Sequence, residues 1–449
     1  MSRPTRPPLS GVGDGPLVLP EAVGSMLGNG LEILAIRYTR LPAVALRLVS
    51  HAGRWTEREG ERGLSGMSAV LSRHGTARWD SGELARLQDA RGLRMGASAS
   101  LDDRVVAVRT LSEELPLAVE MLAQLARHPT FPADHVEREI DTAVQSLRHR
   151  RSSPDLLSGE KLAERLHPGH PYGDPPASAE ELRAITSERL GRWQAQRFGP
   201  ESALLVAVGD LDPLHLEELV RAQLEEWPRA ELPPRPSPVA PAAVEEVLLV
   251  DRPASEQATI CMGLPAPART DPQWATVRLL STVLGGGASS RLFLELRERR
   301  GLTYGAGCGY DAGHYGGDLT IHLSCSTGKV EEALEATVTE IRRLGRDGVS
   351  EHELEVARRA LLGGLPMAAS SLGGLASLFG TRWLFGLPEQ AWSRLGDELA
   401  AIGPEQLREA ALRWLNPDRA HCVVVGRAEV LKGPCSRLGR VRVEPLPAA

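Results

Sequence analysis

The sequence predicts an α+β protein assembled twice over. Two similar domains, each a hairpin, helices and a late strand, are joined by a linker. Three observations lead there. The first is an internal repeat: Gly92-Leu93-Arg94-Met95-Gly96-Ala97 returns 209 residues later as Gly301-Leu302-Thr303-Tyr304-Gly305-Ala306. The second is the stretch from Pro228 to Ala243, PRAELPPRPSPVAPAA, too rich in proline for a helix or a central strand and therefore a semi-rigid linker. The third is apolar periodicity that switches between 2 and 3.6 residues within each half. The 449 residues accommodate this plan. The boundaries it gives are a flexible segment 1–26, a first domain 27–227, the linker 228–243 and a second domain 244–449.

Taken in order, Asn29-Gly30 is a turn, and LEILAIRY and PAVALRLVSHAG after it alternate as strands. GLSGMSAVLSRHG is helical, with Leu64, Met67 and Leu71 on one face and Gly75 as its stop. GLRMGASASLDDRVVAVRTL alternates as a hairpin. Leu117, Met121, Leu122 and Leu125 then mark a helix entered through Pro116, and a second helix starts at Ala133. SALLVAVGDLD is a buried strand closed by an acidic turn, with the helix HLEELVRAQLEEW behind it. In the second half Ala333, Thr337, Val338 and Ile341 stand 216 residues after the first helix's apolar positions, and RAHCVVVGRAE repeats the late strand. The offset grows by seven between strand and helix, which an insertion around DAGHYGGD in the second hairpin explains. Ser370 to Gly380, SSLGGLASLFG, is a helix or loop near the domain interface.

Composition excludes several functions. A formal charge of -6 leaves no net positive field for nucleic acid or anionic lipid. The longest apolar run, LEILAIRYTRLPAVALRLV, is interrupted by Arg37, Arg40 and Arg47, so a membrane span is not expected. The opening residues hold no apolar core of signal-peptide length, and the expected location is the cytoplasm. The five cysteines are scattered without a Cys-x-x-Cys pair, as idle free thiols are. Gly285-Gly286-Gly287 lacks the Lys-Ser/Thr of a phosphate loop and is a helix-ending turn.

Leu284 to Gly307, LGGGASSRLFLELRERRGLTYGAG, resembles the signature of the second domain in the pitrilysin or insulinase family, M16. The resemblance extends to NGLEILAI, HPYGDP, VGDLD and the proline linker, and so spans about Leu27 to Val430. It implies the paired metallohydrolase-type fold, two domains of mostly antiparallel sheet with packed helices that face one another as a clamshell around a polar chamber. It also implies that Arg297 and Tyr304, seven residues apart, point into a peptidase site. The bland alternative makes Arg297 a surface residue of a charged helix and Tyr304 a core residue at a strand start. The matching positions of the first half are Gln88 and Met95, so the pair occurs only where the family uses it.

The family's enzymes hold zinc through an inverted His-x-x-Glu-His motif on the first helix and a more distant glutamate. Aligned on Gly63-Leu64-Ser65, those three positions fall on Gly66, Ala69 and Val70, and the distant ligand falls near Gln145 to Leu147. None of them supplies a metal ligand; Glu137, Glu139 and Asp141 nearby would need a shifted register. His167 and His170 are separated by Pro168-Gly169, which breaks the helix that would make them act together. The resemblance therefore implies no cofactor in this chain and a zinc-bearing M16 partner. Arg297 and Tyr304 would be lent to that partner's site, where each oxyanion donor is worth about 3 kcal/mol. The substrates would be unfolded peptides. The alternatives are an inactive structural or peptide-binding homologue, as the core proteins of respiratory complex III are, and an independent peptidase with an unconventional metal site. In the zinc-free subunit of mitochondrial processing peptidases a glycine-rich loop helps bind presequences; the loop at Gly285 to Gly287 is much shorter.

Overall fold

The computed structural model describes residues 18–240, 243–244 and 246–446. The architecture is α+β, with two six-stranded mixed sheets and packed helices. The first sheet consists of β1 (Val23–Met26), β2 (Glu32–Arg37), β3 (Ala43–Ser50), β4 (Arg94–Ala99), β5 (Arg104–Leu111) and β6 (Ala203–Gly209), in the order β1-β2-β6-β3-β5-β4. The second consists of β7 (Val247–Asp251), β8 (Gln257–Ala266), β9 (Thr303–Ala312), β10 (Gly317–Ser326), β11 (His421–Gly426) and β12 (Val441–Pro445), in the order β12-β7-β11-β8-β10-β9. Five strands of each sheet correspond one to one. The sixth does not: β1 comes from the N-terminal side and runs antiparallel to β2, whereas β12 comes from the C-terminal side and runs parallel to β7.

One sequence expectation is corrected here. The segment 1–26, expected to be flexible throughout, contains β1, whose Val23 lies opposite Ala35; its residues 1–17 lie outside those described. The consecutive strands β2 and β3 are not neighbours. β6 is inserted between them, parallel to β2 and antiparallel to β3. All seven β6 residues are buried, and an unbroken apolar run of that kind requires a partner on both edges and cover on both faces.

The helices are α1 (Leu64–Leu71), α2 (Ser81–Arg91), α3 (Leu115–Arg127), α4 (Ala133–Ser152), α5 (Pro154–Leu166), α6 (Ala179–Arg183), α7 (Ser187–Arg197) and α8 (Pro213–Leu224) in the first half. In the second half they are α9 (Trp274–Gly285), α10 (Val330–Asp347), α11 (Glu351–Ala369), α12 (Leu372–Leu384), α13 (Ala391–Ala401), α14 (Pro404–Trp414) and α15 (Ala428–Cys435). Amphipathic α3 covers one face of the first sheet with Val119, Met121, Leu122 and Leu125, and α10 does the same for the second with Leu334, Val338, Ile341 and Leu344. No single helix among the described residues is long and apolar enough to cross a membrane.

The opposite faces are covered by exchange. α12 belongs by sequence to the second half, yet its Leu372, Leu375, Ala376 and Phe379, spaced at helical intervals, pack on Ile36, Ala45, Val49, Leu204, Val206 and Val208 of the first sheet. Reciprocally, Leu157, Leu162 and Leu166 of α5 pack on Leu248, Val250, Cys261, Val423 and Val425 of the second sheet. Gly263 in β8 makes the close approach feasible, because a Cβ there would stand 2.8 Å from Leu166 Cδ1. The halves therefore meet through apolar contacts.

Polar contacts complete the junction. The Tyr172 hydroxyl donates to Asp102 Oδ1 at 2.5 Å and accepts the backbone N–H of His314 at 2.8 Å. His167 Nε2 lies 2.7 Å from Asp318 Oδ2. His314 sits in the turn between β9 and β10, the inserted DAGHYGGD segment. The insertion thus presses against the first half.

Candidate functional site

The helix on which the resemblance aligns the metal motif is α1. Gly63 starts it with φ of 88°, a left-handed conformation that glycine adopts without strain, and offers no side chain to cap the helix. The carboxylate of Glu57 does so instead, accepting the N–H of Ser65 at 2.7 Å and that of Gly63. Beneath α1 lies Arg104, fully buried, which donates to Ser68 Oγ at 2.9 Å and stands 4.4 Å from the Phe198 ring centre. Burial without a facing carboxylate lowers its pKa to about 9.

Gly66 and Val70, four residues apart on α1, line one cavity of about 280 Å³ together with Met67. Ala143, Ser146 and Leu147 of α4 close its opposite wall, so the structure does bring Gly66, Val70 and the distant ligand position to the same place. Ala69 is fully buried and does not line it. Nor do Glu137, Glu139 or Asp141, which removes the shifted register as a source of ligands. A hydrogen, an isopropyl group and an isobutyl group offer no lone pair to a metal, and no group of three or more His, Cys, Asp or Glu suited to one occurs among the described residues. The residues present do not fit zinc. After mild chelation, elemental analysis of the purified chain should find zinc far below one ion per chain; one tightly held ion would contradict this geometry.

What the cavity has instead is an apolar floor and a charged rim of Arg54, Arg62, Arg150, Asp174 and Glu57. Arg62 stands 3.8 Å from Asp174 and 3.9 Å from Glu181. Sequence reasoning missed this rim, since scattered charged residues carry no periodic signal that would assign them to one wall. Desolvation by burial raises the Glu57 carboxyl from 4.5 to about 7, against the opposing pull of the two helix N–H groups and Arg54. Between those values the folded chain holds a proton that the unfolded chain has released. Native stability should therefore fall as pH rises from about 4.5 to about 7 and level off above it. Glu57→Gln should remove that contribution, seen as a difference between the two denaturation midpoints that shrinks toward the acid side. A difference independent of pH would refute it.

Arg297 and Tyr304 lie on the second half. Arg297 sits in a π-helical turn, Phe293–Arg299, an uncommon geometry often found at functional sites. Its guanidinium lies 4.7 Å from the Phe293 ring centre, with Glu298 at 3.8 Å and 47% of the side chain exposed. Leu302 N–H donates to Leu296 O at 2.8 Å, tying the turn to the start of β9, where Tyr304 stands. Tyr304 is 88% exposed, which corrects the alternative reading of a core tyrosine. β9 is an edge strand, and neither residue lines the α1 cavity.

The histidines pair off without forming a centre. His74 stacks on His135 at 4.7 Å, and His51 stacks on Trp383 at 4.7 Å with His314 at 6.0 Å. Burial, with Arg235 and His314 adding to it, lowers the pKa of His51 to about 4. His167 and His170 do come within 6.2 Å, but His167 is spent on Asp318. All five cysteines are free and buried.

Comparison with known proteins identifies the family. The family model described as insulinase (peptidase family M16) matches residues 33–177, and the one described as peptidase M16 inactive domain matches residues 184–361. An uncharacterized zinc protease of Mycobacterium tuberculosis is 29% identical over 303 residues, covering 66% of this chain and 69% of the relative. One of Streptomyces coelicolor is 24% identical over 394 residues, covering 86% and 85%. Among solved structures, a peptidase M16 inactive domain from Pseudomonas fluorescens superposes with a TM-score of 0.82 at 25% identity, covering 90% of this chain and 98% of that one. A protease from Helicobacter pylori gives 0.82 at 18% identity, covering 91% and 100%. With two family models side by side along most of its length and the fold to match, the chain belongs to peptidase family M16.

Proposed function

We propose that this chain is the zinc-free member of a two-chain M16 peptidase, supplying Arg297 and Tyr304 to a site whose metal is held by the partner. The observation that carries the reading is the exposure of Tyr304, 88%, on an edge strand. Its hydroxyl makes no hydrogen bond within the chain among the described residues, and a phenol left so open is poised for a partner outside it. A guanidinium and a phenol are both donors suited to a peptide carbonyl oxygen as charge develops there. The apolar cavity on α1 supports the same reading, because this chain's own metal positions are filled by Gly66, Ala69 and Val70.

The substrate class proposed is unfolded peptide. β4 and β9 are the edge strands of their sheets and present unpaired backbone groups that an extended chain can add to. The reading is tested by mixing this chain with a zinc-bearing M16 chain from the same genome and following hydrolysis of a fluorogenic unstructured peptide. Cleavage by the mixture and by neither chain alone is the expected result. Full cleavage by the zinc-bearing chain alone would overturn it and leave a structural or peptide-binding role for this chain.

A further inference from the structure

We infer that the second half contains a binding site, separate from the region above, for a small carboxylate carried on an aromatic or branched apolar body. A cavity of about 350 Å³ lies among β9, α9, α11, α12 and α13, walled by Trp274, Trp392, Phe385 and Leu365. Two arginines, Arg269 and Arg278, also line it, and no carboxylate does. Its volume falls within the range of small-molecule sites, which combine apolar walls with a few convergent polar groups.

The two cations are placed for an anion. The Arg269 guanidinium carbon stands 3.6 Å from the Trp274 ring centre and 5.5 Å from that of Trp392. Its backbone N–H is tied to Gly313 O at 3.0 Å, which fixes the root of the side chain. Arg278 donates to Tyr310 O at 3.3 Å and keeps further N–H groups. Neither arginine has a carboxylate within ion-pair distance among the described residues; Glu398 acts on Arg269 only from farther away. Burial lowers the Arg269 pKa to about 10, the mark of a cation lacking a close counter-ion.

The ligand chemistry follows from the planar forks and the apolar walls. The free guanidinium fork of Arg269, with the partly committed fork of Arg278 beside it, suits a planar carboxylate, which a guanidinium binds through two parallel N–H bonds. The aromatic walls take the apolar body, with the ring stacked or edge-on against Trp274 or Trp392. This inference is independent of the proposed two-chain peptidase.

The test is titration of the full chain with 3-phenylpropionate, read by tryptophan fluorescence because Trp274 and Trp392 line the cavity. Saturable quenching is expected, weakened at least about tenfold for the neutral 3-phenylpropanol and for Arg269→Gln, as loss of a charge-assisted pair implies. Leu365→Trp, which fills the cavity and keeps both arginines, should abolish the response, with thermal melts confirming that each variant folds. A tripeptide ending in Phe as the free acid separates the sources. Tighter binding than phenylpropionate assigns the site to peptide C-termini, and equal or weaker binding assigns it to free carboxylates. No quenching, equal binding of acid and alcohol, or parental affinity in both variants would overturn the inference.

Discussion

Tyr304→Phe should reduce peptide cleavage by the assembled two-chain enzyme about 10²–10³-fold, the loss typical of removing one oxyanion donor. The fall should appear in kcat more than in KM, since the hydrogen bond strengthens only as charge develops on the carbonyl oxygen. Arg297→Ala should act similarly, and Arg297→Lys should recover part of the rate by keeping the charge while losing the planar fork. Stability should hardly change. Tyr304 is 88% exposed and Arg297 about half exposed, so both substitutions should stay within about 0.5 kcal/mol of the parent. Co-purification with the zinc-bearing chain should also persist. Parental cleavage rates in both variants would remove the shared site and favour a scaffold.

Phe379→Ala should destabilise the chain by about 3–5 kcal/mol, the usual cost of deleting a buried aromatic ring. Phe379 is 2% exposed and lies with Leu375 and Ala376 on the first sheet, though its helix, α12, is part of the second half by sequence. The effect should therefore be felt across the junction. Hydrogen exchange along β3 and β6 should accelerate more than exchange along β10, which α12 does not cover. Equal acceleration in both sheets, or a loss below about 1 kcal/mol, would show that the exchanged helix does not hold the halves together.

What the sequence says of the candidate site depends on residue identity. The absence of ligands at Gly66, Ala69 and Val70 follows from a motif register, and the structure places Gly66, Val70 and Leu147 around one cavity. The seven-residue spacing of Arg297 and Tyr304 was equally plain. Their exposure was not, because a tyrosine near a strand start in a repeat of Met95, which is packed, reads just as well as core. Glu57 was illegible for a different reason. Its work as the cap of α1 depends on a loop folding back eight residues to Ser65, with no signal in the charged run that contains it.

The strands, the main helices, the repeat and the identities of Gly66, Ala69 and Val70 are local properties, written in periodicity, turn residues and motif register. Those required nothing beyond the order of amino acids. Helical spacing in Leu372, Leu375, Ala376 and Phe379 announces an apolar face but does not name the surface that will cover it. Two chemically similar sheets were available, and only the packed chain assigns α12 to the first and α5 to the second. The same holds for β6, whose apolar run demands two neighbours without identifying β2 and β3, and for the sixth strand, drawn from opposite ends of the chain in the two halves. Burial is a relation between segments distant in sequence, so the partner of each apolar face is settled by which arrangement removes most of that surface from water.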